Sequence, residues 1–142
     1  MYSFDTVQRV RYGETDKMGY LYYGRYLDYY EIGRVEMLRS LGLDYRRMED
    51  ELGVMLPVVS VEVNYKKPLY YDDIVTIRTT LHELPDKLIV FHVELLRPDG
   101  VVANIGIVRL CFIRTDTRRP VRAPEFLLEL LRPYFEGGST TK

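Results

Sequence analysis

The sequence predicts an α+β domain: an antiparallel five-stranded sheet wrapped around one long central helix, with a shorter helix at the C-terminus. Three observations carry that prediction. Apolar residues recur at helical spacing over one long stretch, from Tyr23 or Gly24 to Leu41. After Pro57 the apolar period changes to two and holds through successive segments. Short turns join those segments and make neighbours antiparallel. No other stretch is long enough to cover such a sheet.

The elements follow in chain order. Residues 4–12 alternate, with Phe4, Thr6, Gln8, Val10 and Tyr12 on one face of a strand. Residues 13–22 read as a loop containing Gly13 and Gly19. The helix carries Tyr23, Tyr26, Leu27, Tyr30, Met37, Leu38 and Leu41 on its apolar side, and Gly42 stops it. Gly33 lies on that side as well. A mid-helix glycine costs about 1 kcal/mol relative to alanine, so another backbone is expected to approach closely there. Residues 44–52 form a polar excursion with helical character.

Val59, Val61, Val63 and Tyr65 then alternate with Ser60, Glu62 and Asn64. Val75, Ile77, Thr79 and Leu81 repeat the pattern, as do Ile89, Phe91, Val93 and Leu95. Residues 101–113 form one long strand. Leu84-Pro85-Asp86-Lys87 and Arg97-Pro98-Asp99-Gly100 carry hairpin-turn chemistry. The last helix runs from about Pro124 to Phe135 and opens on Pro and Glu. One domain is expected over residues 1–136, followed by a disordered tail, 137–142.

Composition narrows the function classes. The 142 residues are 46% apolar and carry a net charge of −1, which offers nucleic acid or anionic lipid no general attraction. Cys111 is the only cysteine, so no intrachain disulfide forms and a reducing cytoplasm is expected. The start, Met-Tyr-Ser-Phe-Asp, has no signal-peptide character, and no apolar run reaches membrane-spanning length. There is no G-x-S-x-G elbow and no phosphate or dinucleotide loop. His82 and His92 stand alone in predicted strands, no metal set is visible, and Cys111 reads as a small core residue. Tyrosine is abundant: 13 residues against no Trp and 5 Phe, with seven of them from Tyr12 to Tyr30. They fit a pocket, an interface or a tyrosine-rich core.

Asp16 sits in a short turn immediately before the long helix. A carboxylate there stands beside the free N–H groups of the helix N-terminus, which suits acyl transfer without a Ser-His-Asp triad. By spacing alone Asp16 reads first as a turn or cap residue. Glu31, Arg34 and Glu36 read first as ion pairs along the helix, with Glu31 also a possible buried partner of Arg34.

The run Arg11-Tyr12-Gly13-Glu14-Thr15-Asp16-Lys17-Met18-Gly19, continued by Tyr22, Tyr26, Tyr30, Glu31, Arg34 and Glu36, resembles the 4-hydroxybenzoyl-CoA thioesterase family, including its YbgC-like acyl-CoA thioesterases. Val63-Asn64-Tyr65-Lys66-Lys67-Pro68-Leu69-Tyr70-Tyr71-Asp72-Asp73 matches the family's second strand and turn, and the likeness covers roughly residues 5–122. It implies the hotdog fold and acyl-CoA hydrolysis in the cytoplasm, with no cofactor or metal beyond the CoA of the substrate. It implies that Asp16, in the D-x-x-G turn closed by Gly19, is catalytic, and that the Tyr23 backbone N–H polarises the thioester carbonyl. It further implies a homodimer or homotetramer with sites between subunits. Many YbgC-like members carry His where this chain has Tyr23. On this reading Tyr22, Tyr26 and Tyr30 line the acyl pocket and Lys66 and Lys67 meet CoA phosphates, joined by Arg114, Arg118, Arg119 and Arg122. Glu31 is the second catalytic candidate, because another thioesterase branch places its acid on the central helix. Acyl carrier protein thioesters are the alternative substrate, and a non-catalytic acyl-CoA-binding module is the alternative class.

Overall fold

The computed structural model describes residues 1–135. The expected tail, 137–142, lies outside the described residues. Five long strands carry the sheet: β1 (Tyr2–Arg9), β3 (Val58–Tyr65), β4 (Ile74–Leu81), β5 (Leu88–Leu96) and β6 (Val102–Arg114). Two short strands, β2 (Val54–Met55) and β7 (Pro120–Val121), pair with the end of β6 and enlarge the expected five-stranded sheet to seven. Every pairing is antiparallel, and the long strands run in the order β1-β4-β5-β6-β3.

The central helix α1 (Tyr26–Ser40) is entered through a single 3-10 turn, Tyr23–Arg25, and packs across β1, β4 and β5. The polar excursion contains α2 (Tyr45–Asp50), capped by Asp44, whose carboxylate accepts the Arg47 N–H at 2.7 Å. The chain closes with α3 (Glu125–Leu131) and a 3-10 turn, Arg132–Tyr134.

Alternation in β4, β5 and β6 buries Val75, Ile77, Leu81, Ile89, Phe91, Val93, Leu95, Val108, Leu110 and Phe112 in one core with Tyr26, Tyr29, Tyr30, Met37 and Leu38 of α1. The face of α1 is shifted from the sequence expectation: Tyr29 is fully buried, whereas Leu27 is 47% exposed beside β3. Cys111 is half-buried on the sheet's outer side rather than in the core, because Leu110 and Phe112 take the inward positions.

Gly33 meets side chains of β4 rather than a backbone. A Cβ there would overlap Thr79 Oγ1 and lie 2.8 Å from Ile77 Cγ2. Gly106 plays the same part from the sheet, since the Tyr30 ring occupies the space a Cβ would need. Hence at each of these close approaches one surface lacks a side chain where the other presents one. Gly33→Ala should lower the unfolding free energy by roughly 1–2 kcal/mol, overpacking outweighing the helix-propensity gain. Urea denaturation reads this directly, and unchanged stability would show that α1 can lift off β4 at no cost.

Candidate active site

The expected loop, residues 13–22, is ordered: a 3-10 turn, Tyr12–Glu14, leads into a hairpin closed by the antiparallel bridge between Thr15 and Leu21. Gly19, at φ +80°, closes a turn in which its N–H donates to the Asp16 carbonyl at 3.0 Å. Asp16 Oδ1 accepts the N–H groups of Met18 at 2.9 Å and Tyr20 at 3.1 Å. The turn reading of Asp16 therefore holds for one oxygen. Its other oxygen, Oδ2, accepts no hydrogen bond from the described residues. A second layer holds the hairpin from outside: Leu21 N–H donates to the Leu69 carbonyl at 2.6 Å and Tyr71 N–H to that of Gly19 at 3.1 Å. Tyrosine rings reinforce this seam, edge to face, in the pairs Tyr12–Tyr71 and Tyr20–Tyr70.

Glu14 anchors the hairpin to the helix. Its carboxylate is buried and accepts the Arg11 N–H at 2.9 Å and the Tyr29 hydroxyl at 2.8 Å. Burial alone would raise its pKa, but these hydrogen bonds and the Arg11 charge outweigh burial and leave it lowered. Burial and the Glu14 charge together hold the Tyr29 phenol above the usual range. The Glu14 carbonyl in turn accepts the Tyr22 N–H at 2.8 Å, which sets where the next turn begins.

That turn starts at Tyr23. The first N–H groups of a helical turn have no partner within it. Those of Tyr23 and Gly24 make no hydrogen bond among the described residues, while the Arg25 N–H returns to the Tyr22 carbonyl at 2.8 Å. Asp16 and Tyr23 line one cleft of about 350 Å³ with Tyr20, Tyr26, Tyr65, Lys66 and Lys67. Tyr26 is buried at its base, its phenol pushed up to about 12 by burial and by the nearby Tyr65 and Asp16. Neither lysine has an ion-pair partner among the described residues.

The cleft thus collects Asp16, Tyr23, Tyr26, Lys66 and Lys67, with Gly19 in the turn beside it. It does not collect Tyr22 or Tyr30. Tyr22 is exposed and packs its ring on Tyr23 at 4.7 Å. Tyr30 lies one turn beyond Tyr26, is fully buried, and donates its hydroxyl to Asn104 Oδ1. Its ring borders a different cleft, with Leu27, Glu31, Arg34, Val58 and Val61. Glu31 is exposed there and makes no ion pair with Arg34; Arg34 Nε donates to the Tyr45 hydroxyl at 3.3 Å, and Glu36 pairs with Arg39 instead.

Arg114 ends the strand whose other half faces Tyr65, at Asn104. At about 3.3 Å per residue it lies roughly 33 Å of strand beyond Asn104. Arg114 and Arg122 are also paired, with Asp116 and Asp86. His82 and His92 are not solitary, because their rings meet edge to face at 4.5 Å. No cluster of three or more His, Cys, Asp or Glu suited to a metal occurs among the described residues. Sequence reasoning missed the anchoring roles of Glu14 and Tyr29 and the place of Tyr65 in the cleft. The one available signal for Tyr65 was its position directly before the two lysines.

Residues 10–131 match the model of the Thioesterase-like superfamily. A 91-residue stretch is 37% identical to a Bacillus subtilis protein provisionally named acyl-CoA thioesterase YneP, covering 64% of this chain and 65% of that one. The acyl-CoA thioesterase YbgC of Haemophilus influenzae is 26% identical over 117 residues, 82% of this chain and 85% of that protein. The solved structure of DHNA-CoA thioesterase from Staphylococcus aureus superposes with a TM-score of 0.79 at 32% identity, covering 99% of this chain and 88% of the other. The fold is the hotdog fold that the sequence resemblance implied.

The lowered pKa of Glu14 fixes the sign of an acid response. Its contribution to stability is fully present above the ordinary carboxylate value of 4.5 and is lost as pH falls through the lower native value. Glu14→Gln should therefore flatten the loss of stability below about pH 4.5, as thermal melts across pH 3 to 7 would record. An acid slope identical to the wild type's would show that this carboxylate is not preferentially charged in the fold.

Proposed function

The chain belongs to the thioesterase-like superfamily, and on that footing we propose that it hydrolyses an acyl-CoA thioester to a free acid and CoA. One observation carries the reading: Asp16, with one carboxylate oxygen free of hydrogen bonds among the described residues, and Tyr23, whose N–H is likewise free, border a single cleft that is also lined by two lysines without ion-pair partners among those residues. The relatives named above carry the names of acyl-CoA thioesterases, one of them provisionally, which favours CoA over an acyl carrier protein and argues against a non-catalytic module.

Hydrolysis here takes one of two forms. As a general base, Asp16 removes a proton from water while the water oxygen attacks the thioester carbon. As a nucleophile, Asp16 attacks the same carbon to give a mixed anhydride, which water then opens to restore the carboxylate. In both, the C–S bond breaks, CoA leaves as the thiolate and is protonated, and negative charge gathers on the carbonyl oxygen. The Tyr23 N–H, at the positive end of α1, meets that charge. A histidine side chain at position 23 is dispensable for this donor, since it belongs to the backbone. No cofactor enters either route. Lys66 and Lys67 serve the CoA phosphates, and Tyr26 bounds the acyl side.

The active form is proposed to be a homodimer or homotetramer. β3 pairs only with β6 among the described residues and leaves its other edge open. Val58 and Val59 are 48% and 57% exposed along it, next to exposed Leu27. The single cysteine supports a cytoplasmic location.

A panel of acyl-CoA substrates with thiol detection tests the activity. Asp16→Asn keeps the turn acceptor and should lower kcat roughly 100- to 10,000-fold. An inactive wild type on every thioester, or a fully active Asp16→Asn, would overturn the reading. Lys66→Ala with Lys67→Ala should raise KM for acyl-CoA several-fold and leave kcat near its original value.

A further inference from the structure

We propose that Tyr65 is a positioning residue for this hydrolysis: its phenol holds the Tyr23–Gly24 peptide so that Tyr23 and its free N–H keep a fixed place in the cleft. The inference rests on the thioesterase reading above. Tyr65 Oη donates to the Tyr23 carbonyl oxygen at 2.8 Å, across 42 positions of sequence.

The turn needs such a hold. Tyr23 is 66% exposed and Gly24 is exposed too, so burial does little to fix them. Gly24 has no Cβ, and the Tyr22 ring fills the space where one would lie. From the hairpin side, among the described residues, the turn is tied at Tyr22, through its N–H to the Glu14 carbonyl. Tyr65 supplies the tie from the opposite wall.

Its own base is rigid. The ring stands edge to face on buried Tyr26 at 4.9 Å, and the two residues that follow, Lys66 and Lys67, both donate their N–H to the Ala103 carbonyl at 2.9 Å. The contact has an electronic consequence as well. A hydrogen bond donated to a peptide oxygen polarises that peptide, and the N–H at its other end belongs to Gly24. That peptide follows directly on Tyr23, which borders the cleft.

Tyr65→Phe removes the hydroxyl and keeps the ring on Tyr26. The expected result is a fall in kcat of about 10-fold. KM for acyl-CoA, and Kd for free CoA by calorimetry, should change by less than about twofold, with an unchanged melting temperature. Wild-type kcat in Tyr65→Phe would overturn the proposal. So would a raised KM at constant kcat, which would make Tyr65 a substrate contact, or a loss of folding, which would make it structural. The hydrolase reading fails separately, through an inactive wild type or an active Asp16→Asn. An active wild type, an impaired Asp16→Asn and an unimpaired Tyr65→Phe would sink this inference alone.

Discussion

The site hangs from one buried carboxylate. Glu14 receives the Tyr29 hydroxyl from α1 and the Arg11 N–H from the exit of β1, and its own carbonyl receives the Tyr22 N–H. Those three bonds fix the Asp16 hairpin, the start of the helix and the end of the first strand relative to one another. Neither Asp16 nor Tyr23 is deeply buried, so nothing in the core holds them in register directly. A carboxylate in this position favours the charged form only because its hydrogen bonds outweigh desolvation. An apolar residue there would leave the Tyr29 hydroxyl buried without an acceptor, at a cost of roughly 1–3 kcal/mol.

A second constraint works from the other side of the cleft. The segment after β3 binds the hairpin by backbone hydrogen bonds and by paired tyrosine rings, and Tyr65 reaches the turn itself. Tyrosine suits this seam because it packs as a ring and still offers a donor at its tip. The clustering of tyrosines along the chain is thus divided between two jobs. Tyr26, Tyr29 and Tyr30 are core, whereas Tyr12, Tyr20 and Tyr65 join segments that are distant in sequence.

Much of this was legible in the sequence, for identifiable reasons. Period-two segments and short turns specified the antiparallel sheet, because alternate burial leaves that pattern directly. The Asp16–Gly19 turn was legible because turn chemistry is local, and Lys66 and Lys67 border the same cleft as Asp16. That Tyr30 lies outside the Asp16 cleft was not legible, because helical spacing shows which side of α1 a residue occupies, but not that Gly106 opens a slot for its ring. Leu27 and Tyr29 exchanged roles because an edge strand leaves one flank of the helix uncovered. His82 and His92 looked solitary until strand pairing brought Thr80 opposite His92. The Tyr65 contact had no local trace, since it joins a side chain to a backbone oxygen far away in the chain.

The central claim is that the thioester lies between Asp16 and the start of α1. A structure of the Asp16→Asn protein with an intact acyl-CoA bound tests it most directly. The account predicts the carbonyl oxygen about 3 Å from the Tyr23 nitrogen, the side chain at position 16 facing the carbonyl carbon, and the nucleotide beyond Lys66 and Lys67. An acyl-CoA seated in the cleft of Leu27, Glu31 and Arg34, or a carbonyl turned away from Tyr23, would contradict it.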